Sequence, residues 1–522
     1  MNGTNQVAYW GFGLRKQGEL RKQDALVALK CGRPNVLTLQ NITEAAAANR
    51  DHSSAGNEMT QPAGAGDAGV PPVGHSATLR RVFSGRAGRA LLYGLTPALS
   101  GVNALVGLLL PALLGPVAFG QYALAVTLFQ YGLIFDFGVA QLIDREVPVL
   151  LAAGRHRELN TFVNAMLWLR LYVAGVSLAV GVPLLAVLAA TDRLPFALLP
   201  GILSLTAGLA FMIGLGPVGV YRATSNREAF AVSNTSMMSI LAVGRPLGMV
   251  LDGVAGCFAA LAACYAAAAG VVQWRMLRSL ARTGAGGRLR LAAVPAILVK
   301  SSPLFITSLI WAFYMTANRW VVSLDAPQLE LGYFAFGSNV VYLIVGSIGV
   351  LAPFYYPAMI STLSIGDDFC VSRRLRREMS GLVALIAVGT LAGILVGPFF
   401  VQLLYPRFIG SAAVMRLLLV AVPALGLATW LMPLALSAAR RPWVQGLLVY
   451  VLALAVLMAA TQGGYARAGI TGAAWGLSVS AVPLVALQLA ALRARRVVRS
   501  GDAALIFATV LACTCALAAV VI

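Results

Sequence analysis

Charged residues are scarce in this chain of 522 residues. Only 11% of the residues are Asp, Glu, Lys or Arg, whereas 59% are hydrophobic, and the mean hydropathy is +0.81. A soluble domain carries about 25% charged residues. The apolar residues fall in runs of roughly twenty, the length at which a helix spans a hydrocarbon core about 30 Å thick. The composition therefore excludes a water-soluble protein and indicates a polytopic membrane protein.

Histidine and cysteine are too few and too scattered to suggest a metal centre. The three histidines, His52, His75 and His156, all lie outside the apolar runs. The six cysteines show no metal-ligand spacing and lie mostly in apolar segments, where cysteine behaves as a small hydrophobic residue. We therefore expect no metal, no cofactor and no disulfide framework.

Acidic residues are outnumbered by basic ones, 19 to 39, which gives a net charge of +20. In a soluble protein that balance would suggest nucleic acid as a partner. Here the arginines sit mostly in short connections between apolar runs, where cytoplasmic loops are expected to be basic. The sequence therefore argues against nucleic-acid binding.

Thirteen apolar runs are predicted to be membrane helices, and arginines crowd into alternate connections between them. The predicted runs are 90–112, 117–142, 163–189, 196–219, 229–251, 254–276, 298–322, 333–361, 380–404, 410–437, 443–461, 470–492 and 503–522. The arginine-poor connections hold only Arg193, Arg407 and Arg467, beside Asp325 and Glu330. Since cytoplasmic loops carry the excess of arginine, the N-terminus is predicted to be cytoplasmic and the Asp325–Glu330 connection to face outward.

Residues 1–85 differ in kind from the rest of the chain. They contain no apolar run, and the stretch 57–75 is rich in Gly, Ala and Pro, which is typical of a flexible linker. One interpretation is a disordered cytoplasmic tail. The other is that translation starts at Met59, so that deleting residues 1–58 would leave insertion and activity intact.

An internal repeat divides the remaining chain. The segment 115–123 (GPVAFGQYA) and the segment 325–334 (DAPQLELGYF) are both short turns that lead into an aromatic helix start, and Tyr122 and Tyr333 are 211 residues apart. Transporters are often built from such repeats. Because six runs separate the copies, the repeat is parallel. We expect an N-terminal six-helix lobe at 86–280, a C-terminal six-helix lobe at 281–495 and an additional helix at 496–522.

The loop motifs resemble those of a known family. They are 110–122 (LPALLGPVAFGQY), 136–141 (DFGVAQ), 145–148 (REVP), 318–320 (NRW) and 331–333 (LGY). They are similar to the motifs of bacterial polysaccharide exporters and oligosaccharide flippases, within the multidrug/oligosaccharidyl-lipid/polysaccharide flippase superfamily. The resemblance implies an all-α inner-membrane protein with two six-helix lobes around a central cavity. It also implies a lipid-linked oligosaccharide as substrate, with membrane lipids and the polysaccharide polymerase machinery as further partners.

Arginines inside the apolar runs are the first candidates for a substrate site. A charge at the centre of a membrane helix costs about 2.5–3.5 kcal/mol on insertion scales, and guanidinium groups suit the bidentate capture of phosphate. Arg319 and Arg245 are predicted to face the cavity and bind the diphosphate. Arg170 is a further substrate-binding candidate, although for Arg170 and Arg416 the alternative is a long side chain that reaches the headgroups.

Three other polar residues complete the prediction. Asp136 is the only carboxylate well inside an apolar run, which makes it a candidate for ion coupling because burial raises a carboxylate pKa. The alternative is an aspartate paired with Arg145 or Arg170. Asn318 and Asn103 are candidates for binding sugar hydroxyls, and hydrogen bonds between helices explain them equally well.

Four functions remain open. The leading hypothesis is a flippase for an undecaprenyl-diphosphate-linked oligosaccharide that works by alternating access. A lipid II-type flippase resembles the same layout. A cation-coupled exporter is less favoured, because it typically needs several membrane carboxylates. A membrane glycosyltransferase or polysaccharide ligase is less favoured still, because the longest outward connections, of about ten residues, leave little room for a catalytic site.

Overall fold

The computed structural model describes residues 86–224, 226–281, 294–364, 368–437 and 442–522. The two interpretations of the N-terminal segment therefore lie outside the described residues. Within the described part the chain forms twelve α-helices and one short 3-10 turn at Pro406–Phe408. The helices are α1 Arg86–Ile134, α2 Val139–Ala152, α3 His156–Ala190, α4 Leu198–Ala223, α5 Arg227–Leu280, α6 Val294–Asp325, α7 Gln328–Ser364, α8 Asp368–Leu404, α9 Ser411–Leu419, α10 Val422–Ser437, α11 Pro442–Ala494 and α12 Ser500–Val521.

Three of these helices are too long to be single membrane spans. Helices α1, α5 and α11 contain 49, 54 and 53 residues, and a straight helix of 54 residues would be about 80 Å long. Each is interrupted by residues with non-helical φ and ψ, at Gly115 in α1, at Asp252 and Gly253 in α5, and at Ala468 and Gly469 in α11. The breaks fall between predicted runs one and two, five and six, and eleven and twelve.

The breaks in α5 and α11 are tight hairpins of the same construction. A Cβ on Gly248 would lie 2.3 Å from the carbonyl oxygen of Gly256, and a Cβ on Gly464 would lie 2.2 Å from that of Gly472. Contact between residues eight apart requires the helix to reverse, since eight residues span about 12 Å of a straight helix. The second glycine of each turn has positive φ, 54° at Gly253 and 59° at Gly469. The equal spacing of the two glycine pairs and the equal backbone geometry of the two turns support a parallel repeat.

The apolar character of the helices agrees with a membrane protein. Eight of the described helices are long and apolar enough to cross a membrane, and the bent pair of α9 and α10 makes a ninth. Three of the eight are the broken helices α1, α5 and α11. The predicted all-α polytopic fold is confirmed.

The second predicted run, 117–142, is wrong at its C-terminal end. Helix α1 ends at Ile134, and a separate helix α2 begins at Val139. The backbone between them turns through positive φ at Phe137 and Gly138, which an α-helix does not allow. Apolar residues continue across this break, so hydropathy alone could not reveal it.

The helices separate into two lobes. Helices α1 to α5 pack mainly with one another, and so do α6 to α11, while α12 packs on α8 and α11. The contact between the lobes is made chiefly by α1 with α7, the two helices that carry the repeated segments. The region between the lobes is therefore bordered by these two helices and by α6, which also contacts α1 and α2.

Candidate substrate site

The repeated segments pack directly against each other. A Cβ on Gly332 would lie 2.0 Å from the carbonyl oxygen of Pro116, and a Cβ on Gly120 would lie 3.1 Å from the backbone nitrogen of Gly332. Gln121 Nε2 donates a 3.1 Å hydrogen bond to Gln328 Oε1 across the same contact. The two glycines thus let the first helix of each repeat approach closely. We call this the repeat contact; it joins the lobes at the end predicted to face outward.

Arg319 lies on α6 close to the repeat contact and is almost fully buried, with 2% of its surface exposed. Its Nε donates to Ser338 Oγ at 3.0 Å, and its Nη2 donates to Asn339 Oδ1. The guanidinium also sits 4.8 Å from the centre of the Tyr342 ring, a cation–π distance. All three partners lie on α7, so α7 orients this side chain.

No negative charge compensates Arg319 among the described residues. No described carboxylate lies within 4 Å of its guanidinium, and its third nitrogen, Nη1, donates to none of the described side chains. A buried charge without a counter-charge is unfavourable. The arrangement can therefore stabilise an anion that reaches the guanidinium.

Asn318 adds a second hydrogen-bonding group at the same place. Its Oδ1 accepts hydrogen bonds from the Arg319 backbone nitrogen and from the Tyr342 hydroxyl, both at 2.9 Å. Its Nδ2 is buried and has no partner among the described residues. Asn318 and Arg319, both predicted candidates, thus present neighbouring hydrogen-bond donors that have no described partner. Phosphate and sugar oxygens accept hydrogen bonds from such donors.

Two tyrosines related by the repeat flank this part of α6. Tyr342 of α7 lies against Arg319, and Tyr131 of α1 lies 211 residues earlier, the same offset that separates Tyr122 from Tyr333. The Tyr131 hydroxyl accepts from Trp320 Nε1 at 2.9 Å and shares a 2.6 Å hydrogen bond with Thr316. Each lobe therefore supplies one tyrosine to residues 316–320, which ties the site to the position of both lobes.

Arg245 approaches the same region from α5. It is half-buried, and its charge, like that of Arg319, acts on the Tyr122 hydroxyl. The Tyr122 ring stacks on Phe258, with 5.7 Å between ring centres. No described carboxylate lies within 4 Å of Arg245. Tyr122 is thus influenced by two cations that have no described carboxylate within 4 Å.

Arg170 and Asp136 form a different kind of site. Arg170 Nη2 donates to Asp136 Oδ2 at 3.0 Å, and Arg170 Nη1 donates to the Met212 carbonyl at 3.1 Å. The same carboxylate accepts from the backbone nitrogens of Gly138 and Ala140, both at 2.8 Å. The structure places Asp136 in the break between α1 and α2, where it caps α2 and is paired with Arg170.

A second contact between the lobes lies beside this ion pair. The Phe137 and Phe305 rings stack with 4.5 Å between their centres, and a Cβ on Gly138 would lie 2.6 Å from the Ser301 carbonyl oxygen. A cavity of about 160 Å³ touches Asp136, Arg170 and Ser308. The ion pair thus holds the loop that meets the C-terminal lobe.

The two remaining candidates lie apart from Arg319. Asn103 of α1 donates from Nδ2 to the Met238 carbonyl of α5 at 3.1 Å, and its Oδ1 is buried without a described partner. Its described hydrogen bond joins two helices of the N-terminal lobe. Arg416 is exposed on the short helix α9.

Sequence reasoning missed the tyrosines and Ser338 of the site. Tyr122 and Tyr333 were visible in the repeated motif, and nine residues further along each copy stand Tyr131 and Tyr342. Comparing the two repeated segments over nine further residues would have revealed Tyr131 and Tyr342. Ser338 carries no such signal, because a serine in a membrane helix usually bonds its own backbone.

Solved structures of two kinds of transporter share this arrangement of helices, whereas no family model and no curated protein matches the sequence. A point mutant of the Vibrio cholerae MATE transporter VcmN aligns with a TM-score of 0.52 at 16% identity, covering 80% of this chain and 99% of that one. VcmN in the bent form aligns with a TM-score of 0.50 at 14% identity over the same shares. The lipid II flippase MurJ in its inward closed conformation aligns with a TM-score of 0.51 at 11% identity, covering 80% of this chain and 91% of that one.

This chain has the fold of those transporters. The all-α fold with two lobes that the loop motifs led us to expect is therefore confirmed. The chain is a multi-pass membrane protein with a transporter fold. At identities between 11% and 16% the likeness concerns the fold alone.

Proposed function

We propose that this chain is a flippase that moves an undecaprenyl-diphosphate-linked oligosaccharide across the bacterial inner membrane for surface polysaccharide assembly. The observation that supports the proposal most is Arg319, a buried cation between the lobes with no described carboxylate within 4 Å. A diphosphate carries negative charge that a guanidinium binds in a bidentate manner. Arg319 and Arg245 bind the diphosphate, and Asn318 bonds the adjacent oxygens.

The mechanism follows from where the site lies. Arg319 is held by α7 of one lobe, while its neighbour Trp320 is bonded to Tyr131 of the other. When the lobes rotate about the repeat contact, the bonds of residues 316–320 change, and the anion site opens toward one side of the membrane or the other. Only a ligand that binds one arrangement of the lobes more tightly than the other can shift the equilibrium between the two arrangements. The lipid tail stays in the bilayer throughout.

The site bears differently on the two related transport functions. A lipid II-type flippase would use the same diphosphate chemistry, so the distinction lies in the sugar. A cation-coupled exporter needs a carboxylate that can exchange its ion, and Asp136 already accepts from Arg170 and from two backbone nitrogens. Asp136 is therefore better placed for structure than for coupling.

Deletion of the gene distinguishes the two diphosphate substrates. For an oligosaccharide flippase we expect viable cells that lack the surface polymer and accumulate the lipid-linked repeat unit, measured by lipid extraction and gel analysis of surface polysaccharide. A lipid II flippase would instead give lysis under depletion, with loss of peptidoglycan synthesis. Normal polymer display in a viable deletion strain would contradict the proposal.

A further inference from the structure

A large apolar groove lies in the N-terminal lobe, away from the Arg319 site. Helices α3 and α5 both pack on α4, but they contact each other at few places. The space between them has a volume of about 980 Å³. Its floor is formed by α4, at Leu209 and Ala210, and its α5 wall is formed by the small residues Ala266 and Gly270. The groove exists because these small residues leave α3 and α5 apart.

One end of the groove carries the groups that mark a membrane interface. Trp168 of α3, Trp274 of α5 and Arg278 of α5 line this end, and Trp274 is 64% exposed. Tryptophan is enriched at the headgroup level of membranes, and arginine near a helix end meets anionic headgroups. The groove is thus apolar along its length and cationic at one end.

The length of the groove matches one leaflet. Ala266 and Arg278 are twelve residues apart on α5, which corresponds to about 18 Å of helix. Half of a hydrocarbon core about 30 Å thick is about 15 Å. A lipid whose headgroup lies at Arg278 therefore has an acyl chain of the right reach to fill the groove.

A buried polar group inside the groove points to a ligand as well. Gln273 is 3% exposed and lines the groove. Its Nε2 donates to the Leu167 carbonyl of α3 at 3.0 Å, which ties the two walls together. Its Oε1 is buried without a described partner, and a hydroxyl donor of a lipid headgroup would satisfy it.

We propose that this groove binds one anionic phospholipid, with the phosphate at Arg278 and an acyl chain between α3 and α5. The occupant is a phospholipid of the surrounding bilayer because the groove is lined by residues of α3, α4 and α5 of the N-terminal lobe and does not include Arg319, Arg245 or α7. Phosphatidylglycerol is the probe of choice, since it combines a negative phosphate with headgroup hydroxyls. The site is independent of the proposed transport substrate.

Native mass spectrometry of the purified, delipidated protein tests the proposal. Phosphatidylglycerol, phosphatidylethanolamine and undecaprenyl phosphate are each titrated into the wild type and variants. A Cβ on Gly270 would meet nothing within 4 Å, so Gly270→Leu extends a side chain into the groove from an open position, and Ala266→Leu is a second filling variant. Gly175→Leu is the matched control, because Gly175 is an open position on α3 that does not line the groove.

We expect a phosphatidylglycerol adduct in the wild type and in Gly175→Leu, and its loss in both filling variants. Arg278→Gln should lose the preference for phosphatidylglycerol over phosphatidylethanolamine. Retention of the adduct in both filling variants would overturn the site. Equal binding of the two phospholipids by the wild type, or loss of undecaprenyl phosphate alone from the filling variants, would overturn the proposed occupant.

Discussion

Arg170 and Arg319 are both 2% exposed, yet they stand in opposite electrostatic surroundings. Arg170 is paired with Asp136 at 3.0 Å in the break between α1 and α2. Arg319 is held by Ser338, Asn339 and the Tyr342 ring, all of them neutral. Burial of an arginine in a membrane protein therefore does not by itself indicate a binding site. The presence or absence of a counter-charge separates a structural arginine from one that is available to an anion.

The largest effect on stability is expected at the ion pair between Arg170 and Asp136. Asp136→Ala removes the counter-charge of Arg170 and leaves a buried cation unpaired, which costs about 3–5 kcal/mol. It also removes two hydrogen bonds that cap α2. The measurement is the unfolding free energy or the thermal midpoint of the purified protein in detergent.

The double variant Asp136→Ala/Arg170→Met provides the control for that prediction. It removes both charges, and we expect it to recover a substantial part of the lost stability. Wild-type stability of Asp136→Ala would show that the pair is dispensable, and the distinction between the two arginines would then fail.

A smaller loss is expected where the lobes meet beside Arg319. A Cβ on Gly332 would overlap the Pro116 carbonyl oxygen at 2.0 Å, so Gly332→Ala forces α1 and α7 apart. Overpacking of this kind costs about 1–3 kcal/mol, and the Gln121–Gln328 hydrogen bond should be lost with it. Thermal unfolding and cross-linking between cysteines placed at positions 121 and 328 measure the two effects.

Gly346→Ala is the matched control on the same helix, because a Cβ there would meet nothing within 4 Å. It should leave both measurements unchanged. Equal behaviour of Gly332→Ala and Gly346→Ala would mean that the repeat contact does not hold the lobes together.

The smallest stability effect is expected at Tyr342. Tyr342→Phe keeps the ring beside Arg319 and removes only the hydrogen bond to Asn318, worth about 0.5–1.5 kcal/mol. Transport should fall, because Asn318 loses the bond that orients its amide. Tyr172→Phe on α3, whose ring is exposed, should change neither. Full transport by Tyr342→Phe at wild-type protein levels would show that the Tyr342–Asn318 hydrogen bond is not needed for transport.

The sequence predicted most of the helices well, because runs of about twenty apolar residues and glycine turns are local features. Arg319 could also be singled out as a candidate, since a charge inside an apolar run stands out in any hydropathy profile, and Asn318 lies next to it in the sequence. The role of Asp136 was left open, because its pairing with Arg170 depends on a break at 135–138 that positive φ at Phe137 and Gly138 creates. The tyrosines of the site depend on how two repeats face each other, which spacing along one chain does not show.

The proposal made for Arg319 is that its buried cation binds an anionic substrate. Its most direct test is surface polysaccharide display, normalised to membrane protein, in a deletion strain that expresses Arg319→Ala or Arg319→Lys, with Arg416→Ala as the exposed control. We expect no polymer with alanine, partial display with lysine because it keeps the charge without the planar fork, and wild-type display with the control. Wild-type display from Arg319→Ala at normal protein level would contradict the claim.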